Sequence, residues 1–168
     1  NYSVEYTYAD GTKLMHYGRT IEGCHNEFAS YIHGTKGFGT FSKNGHWPAP
    51  SALYSGLTPN PKNETWKFPA RETNPYQDEW EDLLDAIRND KPYNEAERGA
   101  LASQVCNMGR MAAHTGQRVM WDDALNADPL APEIEKLVGL GSDSAPVKAD
   151  ADGFYPTPQP GITKKREY

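Results

Sequence analysis

The chain is 168 residues long, with 37% hydrophobic and 24% charged residues and a formal net charge of -6. That length suits one domain with a genuine core, and the negative balance argues against nucleic acid, whose phosphates need clustered Lys and Arg. No apolar stretch approaches a membrane span and no signal peptide is visible, while Cys24 and Cys106 are too few and too far apart in sequence for a disulfide scaffold or zinc site.

Asn1-Tyr2-Ser3-Val4 reads as the interior of a strand rather than a beginning. Val4, Tyr6 and Tyr8 alternate with Ser3, Glu5 and Thr7, the period-two pattern of a half-buried strand. Asp10-Gly11 is a hairpin-turn signal, and Lys13 to Ile21 is expected to return antiparallel. Phe28 to His33 is a third apolar run, which Gly34-Thr35-Lys36-Gly37 turns into Phe38-Gly39-Thr40-Phe41-Ser42, so two hairpins are expected to make one meander. Residues 44–64, rich in Pro, Asn and Gly, are expected to wander over the surface before Thr65-Trp66-Lys67-Phe68.

The next zone is helical. Asn74-Pro75-Tyr76-Gln77 sets an N-cap residue, Pro at the first helical position and Gln at the third. Trp80, Leu83, Leu84 and Ile87 then form one apolar stripe, and Asn89-Asp90-Lys91-Pro92 stops the helix. Asn94 and Glu97 repeat the capping layout for a longer helix whose buried face is Leu101, Val105, Met108 and Ala112, with Gly116 placed to end it in the left-handed conformation. Val119-Met120-Trp121 is expected to be extended, with Asp122 capping a last turn through Leu125. From residue 126 periodicity is lost, and residues 126–168 read as an extended, Pro-rich arm after a domain spanning 1–125.

Strands first and helices afterwards predict an α+β fold, an open antiparallel sheet with helices packed on one face. Tyr6, Tyr8, Met15, Tyr17, Phe28 and Tyr31 are many large side chains for so few strands, which suggests that another subunit covers the second sheet face.

Motifs of direct chemistry are scarce. Gly34 to Gly39 resembles a phosphate loop only superficially, because no Gly-Lys-Ser/Thr ending and no helix pattern follow. The Rossmann glycine fingerprint is absent. His16, His25, His33, His46 and His114 never fall at metal-ligand spacing. His25 stands out, in the polar loop Gly23-Cys24-His25-Asn26-Glu27 close in sequence to Arg19. Glu79, Glu81, Asp82 and Asp85 read as the solvated side of their helix. Lys164-Lys165-Arg166 reads as a solvated terminal run, and Asn63-Glu64-Thr65 as a glycosylation triplet of the kind that arises readily by chance.

The run from Asn74 to Glu97 resembles the C-terminal domain of the Gfo/Idh/MocA oxidoreductases, relatives of glucose-fructose oxidoreductase and inositol dehydrogenase. Met108 to Gln117, Val119 to Leu125, the hairpin Val4 to Thr12 and the turn His33 to Gly37 are similar to successive parts of that domain. The tail, Ala149 to Gly153 and Pro160 to Lys165, resembles a long-tailed, planctomycete-like branch. The resemblance implies a parent enzyme with an N-terminal Rossmann domain binding NAD or NADP, acting on a sugar, polyol or related hydroxyl compound. The sheet domain would supply substrate contacts and a homo-oligomer interface. The family's Glu-Lys-Pro and Asp-x-x-x-His segments are absent, so the chain is expected to be inactive alone and to hold no cofactor. Candidate substrate contacts are Tyr17, Arg19, His25 and Asn26, then Asn74, Tyr76 and Gln77, whose capping role explains them without a ligand. Trp80 stands where relatives often carry His. The rival expectation is a non-catalytic sheet domain for self-association or carbohydrate binding.

Overall fold

The computed structural model describes residues 1–45, 50–69, 74–127, 137–139 and 148–164. His46, Lys165 and Arg166, and part of the 44–64 stretch, lie outside the described residues. The fold is α+β, with two open antiparallel sheets and three helices among the described residues. Two compact units divide it: residues 1–20 with 95–168, and residues 21–94.

The first unit begins with the hairpin β1 (Tyr2–Thr7) and β2 (Lys13–Gly18). Tyr8 donates its N–H to the Thr12 carbonyl and accepts from the Gly11 N–H, so Ala9-Asp10-Gly11 is a three-residue loop with Gly11 at φ 86°. Asp10 Oδ1 accepts the Thr12 N–H at 2.8 Å, which explains Asp at this position. The Tyr2–Gly18 register puts Tyr2, Val4 and Tyr6 with Leu14 and His16 on one face, and Glu5 and Thr7 with Met15 and Tyr17 on the other. Val4 is buried, as the alternation required; Tyr8 lies beyond the strand and is exposed. β2 ends at Gly18 instead of Ile21, because Gly18 pairs with Tyr2, the first residue of β1; Ile21 to Cys24 forms a turn of its own with Gly23 at φ 75°.

The long helix α2 (Ala96–Thr115) lies on the Tyr2–Val4–Tyr6 side of the hairpin. Tyr6 Oη donates to the Val105 carbonyl at 3.1 Å, and Tyr2 Oη bonds His114 Nε2 at 2.9 Å. Gly109 sits beneath the Tyr6 ring: a Cβ there would fall 2.0 Å from Tyr6 Oη. The helix starts at Ala96 with Glu95 at the N-cap, one residue after the expected Asn94; Glu95 makes no capping bond and pairs with Arg98 instead. The buried face also differs from expectation. Val105, Met108 and Ala112 are half-buried, but Leu101 is exposed, because the hairpin reaches only the C-terminal half of the helix. Gly116 ends the helix at φ 68°, as read from sequence.

A short helix α3 (Trp121–Leu125) follows and packs on α2. Trp121 is its first residue, so Met120 holds the cap position and the expected extended piece is shorter. The described tail is not simply extended. Asp150 to Phe154 repeats the Tyr8 to Thr12 loop, with Ala151-Asp152-Gly153 in place of Ala9-Asp10-Gly11, and Gln159 accepts the Ile162 and Thr163 N–H groups.

The second unit holds a four-stranded meander, β3 (Ser30–His33), β4 (Gly37–Phe41), β5 (Ala52–Ser55) and β6 (Glu64–Lys67), in that order. β1 and β2 form a separate two-stranded sheet, so the single meander expected from sequence is two sheets. The third strand is shorter than expected, because the Phe28 carbonyl accepts the Asn44 N–H while the Phe28 N–H donates to the Asn44 side-chain Oδ1 instead of joining the ladder. β5 and a single 3-10 turn at Pro61–Asn63 occupy the stretch that was expected to wander.

Cross-strand register sorts the side chains of the meander. Tyr31, His33, Phe38, Thr40, Ala52 and Tyr54 share one face. Phe38 is buried there, its ring centroid 4.8 Å from His33, 5.9 Å from Tyr31 and 6.2 Å from Tyr54. Ile32, Phe41, Leu53 and Trp66 share the opposite face, on which Ile32 is 58% exposed, Trp66 44% and Leu53 40%. The same unit carries α1 (Pro75–Arg88). Asn74 Oδ1 accepts the Tyr76 N–H at 3.0 Å, the predicted cap. At the other end Asp90 adopts φ 50° while Lys91 and Asp90 donate back to Ala86 and Ile87, a complete Schellman stop before Pro92. Its predicted apolar stripe is not a buried one: Trp80, Leu84 and Ile87 are exposed, and Leu83 is half-buried.

Candidate functional site

The sequence-predicted contacts fall at three places. Tyr17 stands near the end of β2, 75% exposed, on the hairpin face turned away from α2, and Arg19 follows as the strand ends. This outer face is polar at the turn end, where Lys13 pairs with Glu5 and Thr7 Oγ1 donates to Glu5 at 3.2 Å. The bond from Lys13 and its charge hold the Glu5 carboxyl below the usual carboxylate range. Met15 and Tyr17 make the other end of the face apolar and aromatic.

In the second unit, His25 and Asn26 are exposed neighbours in the loop between Gly23 and β3. Glu27, next along, accepts from Tyr31 Oη at 3.0 Å, which ties the end of that loop to the sheet. Asn74, Tyr76 and Gln77 are exposed at the start of α1. Asn74 is occupied as the cap, and Gln77 Nε2 donates to Glu81 at 3.3 Å, so both have structural work. Tyr76 projects its ring to solvent. The structure thus joins Tyr17 to Arg19, His25 to Asn26, and Asn74 to Tyr76 and Gln77 as three local groups.

Sequence reasoning missed the Tyr2–His114 contact, whose ring centroids lie 5.7 Å apart. Burial and then the Arg110 charge keep His114 neutral more readily than a free imidazole, lowering its pKa. Tyr6 is shifted the other way, raised by burial, then by Cys106 and Tyr8. A His in the last turn of a predicted helix was the available signal, but nothing in sequence joins it to a residue 112 positions earlier.

Among the described residues, no three His, Cys, Asp or Glu side chains are grouped to hold a metal ion, and no helix is long and apolar enough to cross a membrane. The candidate groups present exposed hydroxyl, guanidinium, imidazole and amide functions at a strand end, in a loop and at a helix start. No family model, no curated protein and no solved structure matches this chain.

Proposed function

We propose that this chain is the C-terminal sheet-and-helix part of an NAD(P)-dependent oxidoreductase of the Gfo/Idh/MocA type, acting on a sugar, polyol or related hydroxyl compound. In this reading it supplies substrate contacts and the oligomer interface, and a separate Rossmann domain of the same protein binds the nicotinamide. The observation that carries the reading is a meander with large apolar side chains on both faces: Tyr31, Phe38 and Tyr54 on one, and Ile32, Leu53 and Trp66 on the other, of which Tyr31, Ile32, Leu53 and Trp66 are exposed. An antiparallel sheet with one solvated face normally alternates apolar with polar residues. Exposed large side chains on an apolar sheet face therefore suit a sheet that another polypeptide covers, in this reading a copy of the chain.

Tyr17 with Arg19 at the end of β2, and His25 with Asn26 in the loop before β3, are each suited to the hydroxyl groups of a ligand, since each pair supplies hydrogen-bonding groups and the first adds an aromatic face. Hydride transfer also requires the nicotinamide and a proton acceptor beside the reacting carbon, and the motifs for both are absent from this sequence. The chain by itself therefore catalyses nothing in this account.

The test is an NMR titration of the chain with myo-inositol, glucose, NAD and NADP. The reading expects weak, saturable shifts at Tyr17, Arg19, His25 or Asn26 with inositol or glucose, and none with either nicotinamide. Tight nicotinamide binding would overturn it, as would sugar-induced shifts confined to residues remote from these four.

A further inference from the structure

The described tail ends in a contact that the oxidoreductase reading does not use. Gly161 donates its N–H to the Thr115 carbonyl at 2.8 Å, and Pro160 lies against Gly116. Thr115 belongs to the last turn of α2, where carbonyls have no partner within the helix. Its carbonyl also accepts from Gln117 Nε2 at 3.2 Å, and its hydroxyl donates to Met111 at 2.6 Å. Thr115 is 6% exposed, so an unmet carbonyl there would carry a desolvation cost. The approach is close: a Cβ on Gly116 would fall 3.0 Å from the Gly161 nitrogen and 3.2 Å from Pro160 Cβ. The tail holds this position through turns of its own, one closed by Asp150 with Phe154 and one in which Gln159 accepts from Ile162 and Thr163.

One residue before Thr115 is His114, which bonds Tyr2 at the open end of the hairpin, beside the Tyr2–Gly18 pair. A second tie to α2, Tyr6 to Val105, lies about two and a half turns up the helix. We propose that residues 148–164 are a strap that closes the C-terminal end of α2 and, through the last helical turn, holds the open end of the β1–β2 hairpin. Releasing the strap frays the turn that carries His114 and loosens Tyr2, while the Tyr6 end stays docked. Tyr17 and Arg19 flank Gly18 at that open end, so the strap also steadies candidate ligand groups; that consequence alone rests on the proposed function.

The test is amide hydrogen exchange on the full chain. Gly161 is an exposed residue, yet its N–H is expected to exchange at least about tenfold more slowly than in a free peptide of residues 148–164. Exchange at the peptide rate would overturn the strap. Thr163→Pro removes an N–H that holds the strap turn and leaves α2 unaltered. It should abolish the Gly161 protection and speed exchange at the Tyr2–Gly18 end of the hairpin, with the Thr7–Lys13 end unchanged. An unaffected hairpin, or one loosened equally at both ends, would refute the coupling. Should that variant fail to fold, the wild-type chain in low urea decides: Gly161 and the Tyr2–Gly18 end must open together, before the Tyr6 end. The readout involves no ligand, so it stands or falls separately from the oxidoreductase reading.

Discussion

Replacing Gly109 by Ala tests how the hairpin is fixed to its helix. In a helix interior the change normally stabilises by about 1 kcal/mol, because glycine forfeits more backbone entropy. Here the new methyl would lie 2.0 Å from Tyr6 Oη and 3.1 Å from Tyr6 Cζ, so the ring must leave its seat. Moving it breaks the Tyr6–Val105 bond, a loss of about 1 kcal/mol, and forces repacking that costs about 1–3 kcal/mol more. Set against the helix gain, the net is a destabilisation of about 1–3 kcal/mol. Gly99 in the same helix has nothing within 4 Å of its would-be Cβ, so Gly99→Ala should show the gain undiminished. Urea unfolding followed by helical circular dichroism compares the two. Tyr6→Phe removes the closest clashing atom, so Gly109→Ala should cost less in that background than in the wild type. If Gly109→Ala proves as stabilising as Gly99→Ala, the hairpin does not pack on α2 as described.

Other consequences are equally open to measurement. His114 has a lowered folded pKa, so the unfolded chain takes up its proton first; stability should be full above the free value of 6.5, fall as pH drops below it, and level off beneath the folded value. A pH series of thermal melts should show that decline, and His114→Gln should flatten it. Asp85 is held below the usual carboxylate range chiefly by its bond to Lys91, so Lys91→Met should raise its pKa in an NMR titration. Phe38→Ala should cost about 3–5 kcal/mol and unfold the meander, as the ring is buried among Tyr31, His33 and Tyr54; retained β-sheet signal with unchanged stability would contradict that packing.

The parts of this fold that sequence disclosed are those fixed by local chemistry. Asp10-Gly11 turns the hairpin, Asn74-Pro75 starts α1, Asp90 before Pro92 stops it and Gly116 ends α2, each through bonds spanning a few residues. β5 was hidden because Ala52-Leu53-Tyr54-Ser55 is too short to show a period of two; its identity comes from pairing with β4 and β6. Leu101 misled because a helical stripe says which face can be buried, and the hairpin covers only the half of α2 that carries Val105 and Gly109. The candidate ligand residues were legible as residue types on loops. Their grouping was not, since spacing along the chain carries no information on distance, as Tyr2 and His114 demonstrate.

Mass in solution tests the central claim most directly, because the proposed function rests on an open apolar sheet face that a copy of the chain covers. Light scattering at micromolar concentration should give a dimer or larger assembly, and Leu53→Asp, on that face and 40% exposed, should yield a monomer with its sheet intact. A wild-type chain that remains monomeric to millimolar concentration would contradict the account.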